Sequence, residues 1–226
     1  MIKTIVHFLA LTLLIGMLVM PAGATNLPVA NFSFEANTPT SDANDGSFYI
    51  RAIDDWNIPN SAPYAGTAKM STNQYASPWW DGDNVAYVTV NRNKQTSYIS
   101  QTIQGAVLQA NHLYTLSALV GRRLDNGNGF DISYGLELLA GGNSLATMQG
   151  SLDPGEHTLA TLQFLPDLTN QYLGLPLEIR LLSFGTKGQS NFDQVTLTNA
   201  AVPLPGGILL VASGLLRLAL RRRQAS

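Results

Sequence analysis

The sequence predicts an all-β protein, a β-sandwich occupying residues 25–200. Short runs rich in β-branched and aromatic residues alternate between apolar and polar positions, as strands with one solvated face must. Clusters of Gly, Asn, Asp and Pro separate those runs, which marks tight connections. No apolar period of 3.6 persists between the two ends of the chain, and sheets that bury a face without helices pack on one another.

Taken in order, the chain opens with Lys3 and a mostly apolar stretch, residues 4–20, broken only by His7 and Thr12. Pro21 and Ala22-Gly23-Ala24 follow. Charge, apolar core, helix break and small residues in that order predict a signal peptide over residues 1–24. Residues 38–84 are polar, aromatic and punctuated by Gly and Pro, which predicts loops with two or three short strands. Strands are then expected at residues 85–90, 98–103, 113–120, 130–139, 157–165, 177–184 and 192–198. The intervening stretches 125–129, 141–143, 153–155 and 185–188 carry the turn residues.

The last segment behaves differently. Residues 200–216 carry no charged side chain, Arg217 interrupts, and Arg221, Arg222 and Arg223 close the apolar run. Its length approaches the roughly 20 residues that cross a bilayer, which predicts a single transmembrane helix over residues 206–220 with its basic end in the cytoplasm. Pro203 and Pro205 keep the chain extended just before it.

Composition narrows the partners. Residues 25–200 hold 8 Lys+Arg and all 15 Asp+Glu, a balance of −7, which argues against nucleic acid. The chain has no cysteine, so disulfides, thiolate metal sites and thiol nucleophiles are excluded. A domain of this size is long enough to bury a real core without them.

Two stretches resemble known families. Val202-Pro203-Leu204-Pro205, the apolar run and the terminal arginines closely resemble the PEP-CTERM sorting domain in its VPLP form, with Leu204 in place of the usual glutamate. That resemblance implies a Gram-negative protein that is exported, anchored in the inner membrane and passed by an exosortase to the cell surface or beyond. The opening Asn31-Phe32-Ser33-Phe34-Glu35 and the closing Phe192-Asp193-Gln194-Val195 look like the galactose-binding-like jelly roll shared by carbohydrate-binding modules. In that family the two stretches lie together and often hold a structural calcium ion, which nominates Glu35 and Asp193. Calcium takes six to eight oxygens, and backbone carbonyls can supply the remainder.

The most ligand-like stretch is residues 77–84, SPWWDGDN. Aromatic faces stack on sugar rings while carboxylates and amides accept from hydroxyls, which makes Tyr75, Trp79, Trp80, Asp81, Asp83 and Asn84 a candidate sugar site. Trp56 and Tyr64 could extend the surface, although core packing suits Trp56 better. Arg122 could grip hydroxyls or uronic carboxylates, but it and Arg123 also suit local pairing beside Asp125. His112 and His157 have no paired nucleophile, and no catalytic motif stands in the chain. These readings predict a noncatalytic surface protein that binds or organises extracellular polysaccharide. The alternatives are a structural biofilm protein with no small-molecule ligand, or a glycosidase built on two of the carboxylates. Expected partners are signal peptidase, an exosortase-type protease, the membrane and a polysaccharide.

Overall fold

Alternation decides which side chains meet. In Val85–Val90, Ala86 and Val88 enter the main core while Val85 and Tyr87 enter a second cluster on the opposite side, so this strand is buried on both faces. Period-two geometry requires that split. The computed structural model describes residues 23–44, 46–59, 62, 64–90, 96–125 and 131–202. Its strands are β1 (Thr25–Leu27), β2 (Ser41–Asp42), β3 (Phe48–Ile50), β4 (Ala65–Lys69), β5 (Val85–Val90) and β6 (Thr96–Val107). They continue as β7 (His112–Arg122), β8 (Ile132–Ala140), β9 (Asn143–Gly150), β10 (His157–Phe164), β11 (Pro176–Gly185) and β12 (Gly188–Ala201).

Eight strands form one sheet in the order β10-β7-β12-β5-β4-β3-β2, with β1 also paired to β12. The other sheet has the order β6-β11-β8-β9. This is an all-β sandwich, with Leu116, Ala118, Val120 and Phe192 from the larger sheet facing Ile99, Leu136, Leu138, Ile179 and Leu181 from the smaller. Each such aliphatic side chain contributes roughly 1.5–3 kcal/mol on burial. The unit spans Thr25–Asn199.

All seven strands expected from residue 85 onward are present, some of them longer than expected, and three short strands stand where two or three were expected. The three-residue β1 was not expected, and neither was β9, whose NSLATMQG has little β-propensity. It pairs with β8 through a two-residue turn in which Gly141 (φ 55°) and Gly142 (φ 78°) are both left-handed. That is the turn a hairpin's twist favours, and glycine adopts it without a Cβ penalty.

The two outer faces of the sandwich differ. On the smaller sheet Arg180 bonds Glu178 at 2.8 Å and Glu137 at 3.4 Å and lies 4.6 Å from the Tyr98 ring centroid, a polar surface. On the larger sheet Ala68, Met70, Tyr75, Trp79, Val85 and Tyr87 form the second apolar cluster. The unusual face is that one. The expected signal peptide lies almost wholly outside the described residues, as do the expected transmembrane helix, most of the VPLP motif and the arginine tail. Among the described residues no helix is long and apolar enough to cross a membrane.

Candidate active site

A groove of ≈ 240 Å³ opens on the outer face of the larger sheet. Tyr87 and Thr89 project from β5 and Ala68 from β4, Met70 follows β4, Tyr49 comes from β3 with Arg51 just beyond it, and Gln189 comes from β12. Ala43, Ser47, Tyr64 and Arg123 complete the walls. Tyr49 meets Tyr87 edge-on at 6.5 Å, and the Arg51 guanidinium lies 4.9 Å from the Tyr64 ring centroid. Arg123 is paired with Asp125 through two contacts, one of them Nε to Oδ1 at 2.8 Å. Burial pushes the Tyr87 hydroxyl up to about 12, against the nearby Arg51 charge, so at neutral pH it carries its proton and donates.

Beside the groove, residues 71–84 are packed onto the same sheet. The Tyr75 hydroxyl donates to Asn191 Oδ1 at 2.9 Å, and both residues are buried. The Trp79 ring lies against Gly121, where a Cβ would fall 2.2 Å from Cζ2, and stacks on His157 at 5.9 Å with planes 10° apart. Trp80 meets both Tyr75 and Trp79 edge-on. Two carboxylates hold the turn that follows. Glu35 Oε1 accepts from the N–H groups of Asp83 (3.1 Å) and Asn84 (2.8 Å), and Asp193 Oδ2 accepts from that of Asp81 (2.6 Å).

The opening and closing stretches of the domain are therefore brought to one turn, with Glu35 and Asp193 gripping it from either side. Burial pushes the Asp193 carboxyl up to about 7; its two backbone hydrogen bonds oppose this, and the charges of Asp81 and Glu35 add to it. Among the described residues no group of three or more His, Cys, Asp or Glu is placed to hold a metal ion.

The residues proposed for a sugar site are placed otherwise. Tyr75 is 1% and Trp79 9% exposed, so their faces are spent on each other and on His157 rather than offered to a ring. Asn84 is buried with its amide on Glu35 and on the Asn37 carbonyl, while Asp83 is exposed and pairs with Lys69 at 3.0 Å. Asp81 is exposed and Trp80 half-buried. Arg122 donates to the Leu152 carbonyl at 2.8 Å, and Trp56 is buried in the main core beside Phe34. None of them lines the groove. Of the groove residues, Tyr64 was noticed in the sequence only as an extension, while Tyr49, Arg51, Met70, Tyr87 and Gln189 went unread. The available signal was VAYVTV itself, a strand apolar on both faces, which implies something covering each.

Comparison with known proteins assigns the fold to a group. A family model described as HpiC1-like, HpiC1 cyclase, matches residues 25–198. This chain belongs to the HpiC1-like cyclase family. A crystal structure of the Stig cyclase Fisc from Fischerella sp. TAU, in complex with (3Z)-3-(1-methyl-2-pyrrolidinylidene)-3H-indole, is 27% identical with a TM-score of 0.68. The match covers 80% of this chain and 100% of that one. A cyclase from the same source in complex with 4-(1H-indol-3-yl)butan-2-one is 26% identical, with a TM-score of 0.66 and the same coverage. An apo cyclase from Fischerella sp. is 25% identical, with a TM-score of 0.68, over 80% of this chain and 98% of that one. No curated protein matches the chain.

Membership of the HpiC1-like cyclase family corrects several expectations. It replaces the assignment to PEP-CTERM proteins with a carbohydrate-binding ectodomain, and a cyclase family overturns the expectation of a noncatalytic protein. Polysaccharide binding or organisation gives way for the same reason, and the buried Tyr75 and Trp79 explain physically why the aromatic stretch misled. Exosortase and surface display rested on the sorting assignment, to which signal peptidase, the membrane and inner-membrane anchoring were joined from the apolar terminal segments. These expectations fall with it.

Proposed function

We propose that this chain is a cyclase, with residues 25–200 as its catalytic domain, and that the groove on the larger sheet binds a small aromatic substrate of the indole type. The observation that carries the reading is the groove's composition: tyrosine rings and Met70 for an aromatic body, with hydroxyl and guanidinium donors at its polar positions. Its ≈ 240 Å³ lies just below the usual range of small-molecule pockets, which suits a ligand of two or three rings. The indoles bound to the two Fischerella cyclases support the substrate class. Ring closure of an unsaturated side chain onto an indole forms one carbon–carbon bond and expels no leaving group. What the protein must supply is a folded substrate conformation, water exclusion and donors aimed at developing charge. Tyr87, held in its protonated form, and Tyr49 are placed for the last of these.

Two finer points belong to the same reading. The sandwich is a jelly roll of the galactose-binding-like kind, supported by the pairing of its first and last strands. A structural calcium ion is held between Glu35 and Asp193, supported by the repulsion between the buried Asp193 carboxyl and the exposed Glu35, which a cation would relieve. For the groove, titration of full-length protein with 4-(1H-indol-3-yl)butan-2-one should give saturable binding, weakened at least tenfold in Tyr87→Ala. Incubation with indoles bearing an unsaturated side chain should give products of unchanged mass with a new ring by NMR. No binding of any indole would sink the proposal.

A further inference from the structure

The groove is electrostatically opposite to the domain that contains it. Residues 25–200 hold 8 Lys+Arg against 15 Asp+Glu, yet the described residues that line the groove include Arg51 and Arg123 and no carboxylate. The two guanidiniums differ. Arg123 is engaged by Asp125. Arg51 is exposed and has no hydrogen bond or ion pair with another described residue, its guanidinium being seated on the Tyr64 ring.

The backbone holds Arg51 in place. A Cβ at Gly66 would fall 2.0 Å from the Ile50 carbonyl and 2.9 Å from Arg51 Cα. Bare glycine therefore lets β4 close on β3 at the point that carries this side chain. Arg51 is also near enough to Tyr87 to oppose the rise that burial imposes on its hydroxyl. A cation, tyrosine hydroxyls and aromatic faces thus converge on one groove.

We propose that the ligand taken by this groove is an aromatic molecule bearing a carboxylate, and that Arg51 is the specificity-determining residue that receives it. A planar guanidinium fork matches a carboxylate with two parallel hydrogen bonds, and stacking on Tyr64 fixes the plane of the fork in advance. A neutral ligand would bring that guanidinium no counter-charge. The inference rests on the groove being the ligand site.

The test compares indole-3-butyric acid with its methyl ester on the full-length protein, by fluorescence titration. The acid should bind about ten- to a hundredfold more tightly, the range expected of a charge-assisted pair. Arg51→Gln should abolish that preference and Arg51→Lys should keep part of it. A second readout needs no variant: added salt should weaken the acid's binding and leave the ester's level. Equal affinities in the wild type, a preference that survives Arg51→Gln, or an acid affinity indifferent to salt overturns this inference and leaves the groove as an aromatic site. Binding of neither compound overturns the groove reading and this inference together.

Discussion

Asp193 is fully buried on β12, and its oxygens accept from the N–H groups of Asp81 and Gln194. Burial sets its value near 7, above that of an unfolded chain, so the sign of its linkage is fixed. Its contribution to stability is complete below about pH 4, declines as pH rises toward 7 and is gone above it. Urea unfolding across that range, with chelator present, should show the decline in wild type and a flat profile in Asp193→Asn. A flat wild-type profile would remove the claim. Gly121 offers a second test at this scale. An alanine there would drive its Cβ to 2.2 Å from the Trp79 ring, and overpacking of that kind costs about 1–3 kcal/mol. Gly121→Ala should therefore lower the urea midpoint and red-shift the tryptophan emission. An unchanged midpoint would mean that Trp79 is free to move aside.

Among the elements, β12 serves both the groove, through Gln189, and the loop beside it, through Asp193, and then breaks its own alternation. Gln189, Asn191 and Asp193 face the outer side while Phe192 enters the core. Gln194 then turns left-handed at φ 48°, and Val195 and Leu197 return to the core. The spacing of Phe192 and Val195 by three, where a regular strand would use two or four, is the trace of that irregularity in the sequence. The loop of residues 71–84 is the second element, and it is held to the sheet by Glu35 and Asp193. If calcium joins those carboxylates, a chelator should lower the melting temperature of the wild type, and Asp193→Ala should abolish the difference. Identical melting curves with and without chelator in the wild type would end the calcium proposal. An ion there would also flatten the pH profile of Asp193, since a cation favours the ionised carboxylate.

Across the whole molecule, stability comes from the contact of two sheets, with no disulfide to assist it. Leu136 is fully buried at the centre of that contact, so Leu136→Ala should cost about 2–5 kcal/mol. Circular dichroism and tryptophan fluorescence should report the same transition for the sandwich, because Thr25–Asn199 forms a single compact unit. Tyr87→Phe makes the opposite separation. It removes a hydroxyl from the groove and keeps the ring, so ligand affinity should fall several-fold while the melting temperature stays within about 2 °C. A large loss of stability there would mean that the hydroxyl serves the fold rather than the ligand.

Alternation and turn chemistry are local properties, and they determined the all-β class, most strand positions and the glycine turns from the sequence alone. The same local reading could not say which apolar face meets the other sheet and which lies under a groove, because VAYVTV is apolar on both. It saw a tryptophan pair as a platform for sugars, whereas packing against Gly121 and His157 buries Trp79. Only the tertiary structure brings Tyr49 and Arg51, Tyr87, and Gln189 from three separate stretches to one surface. Strand order makes that convergence, and strand order depends on long-range pairing that no window of neighbouring residues contains.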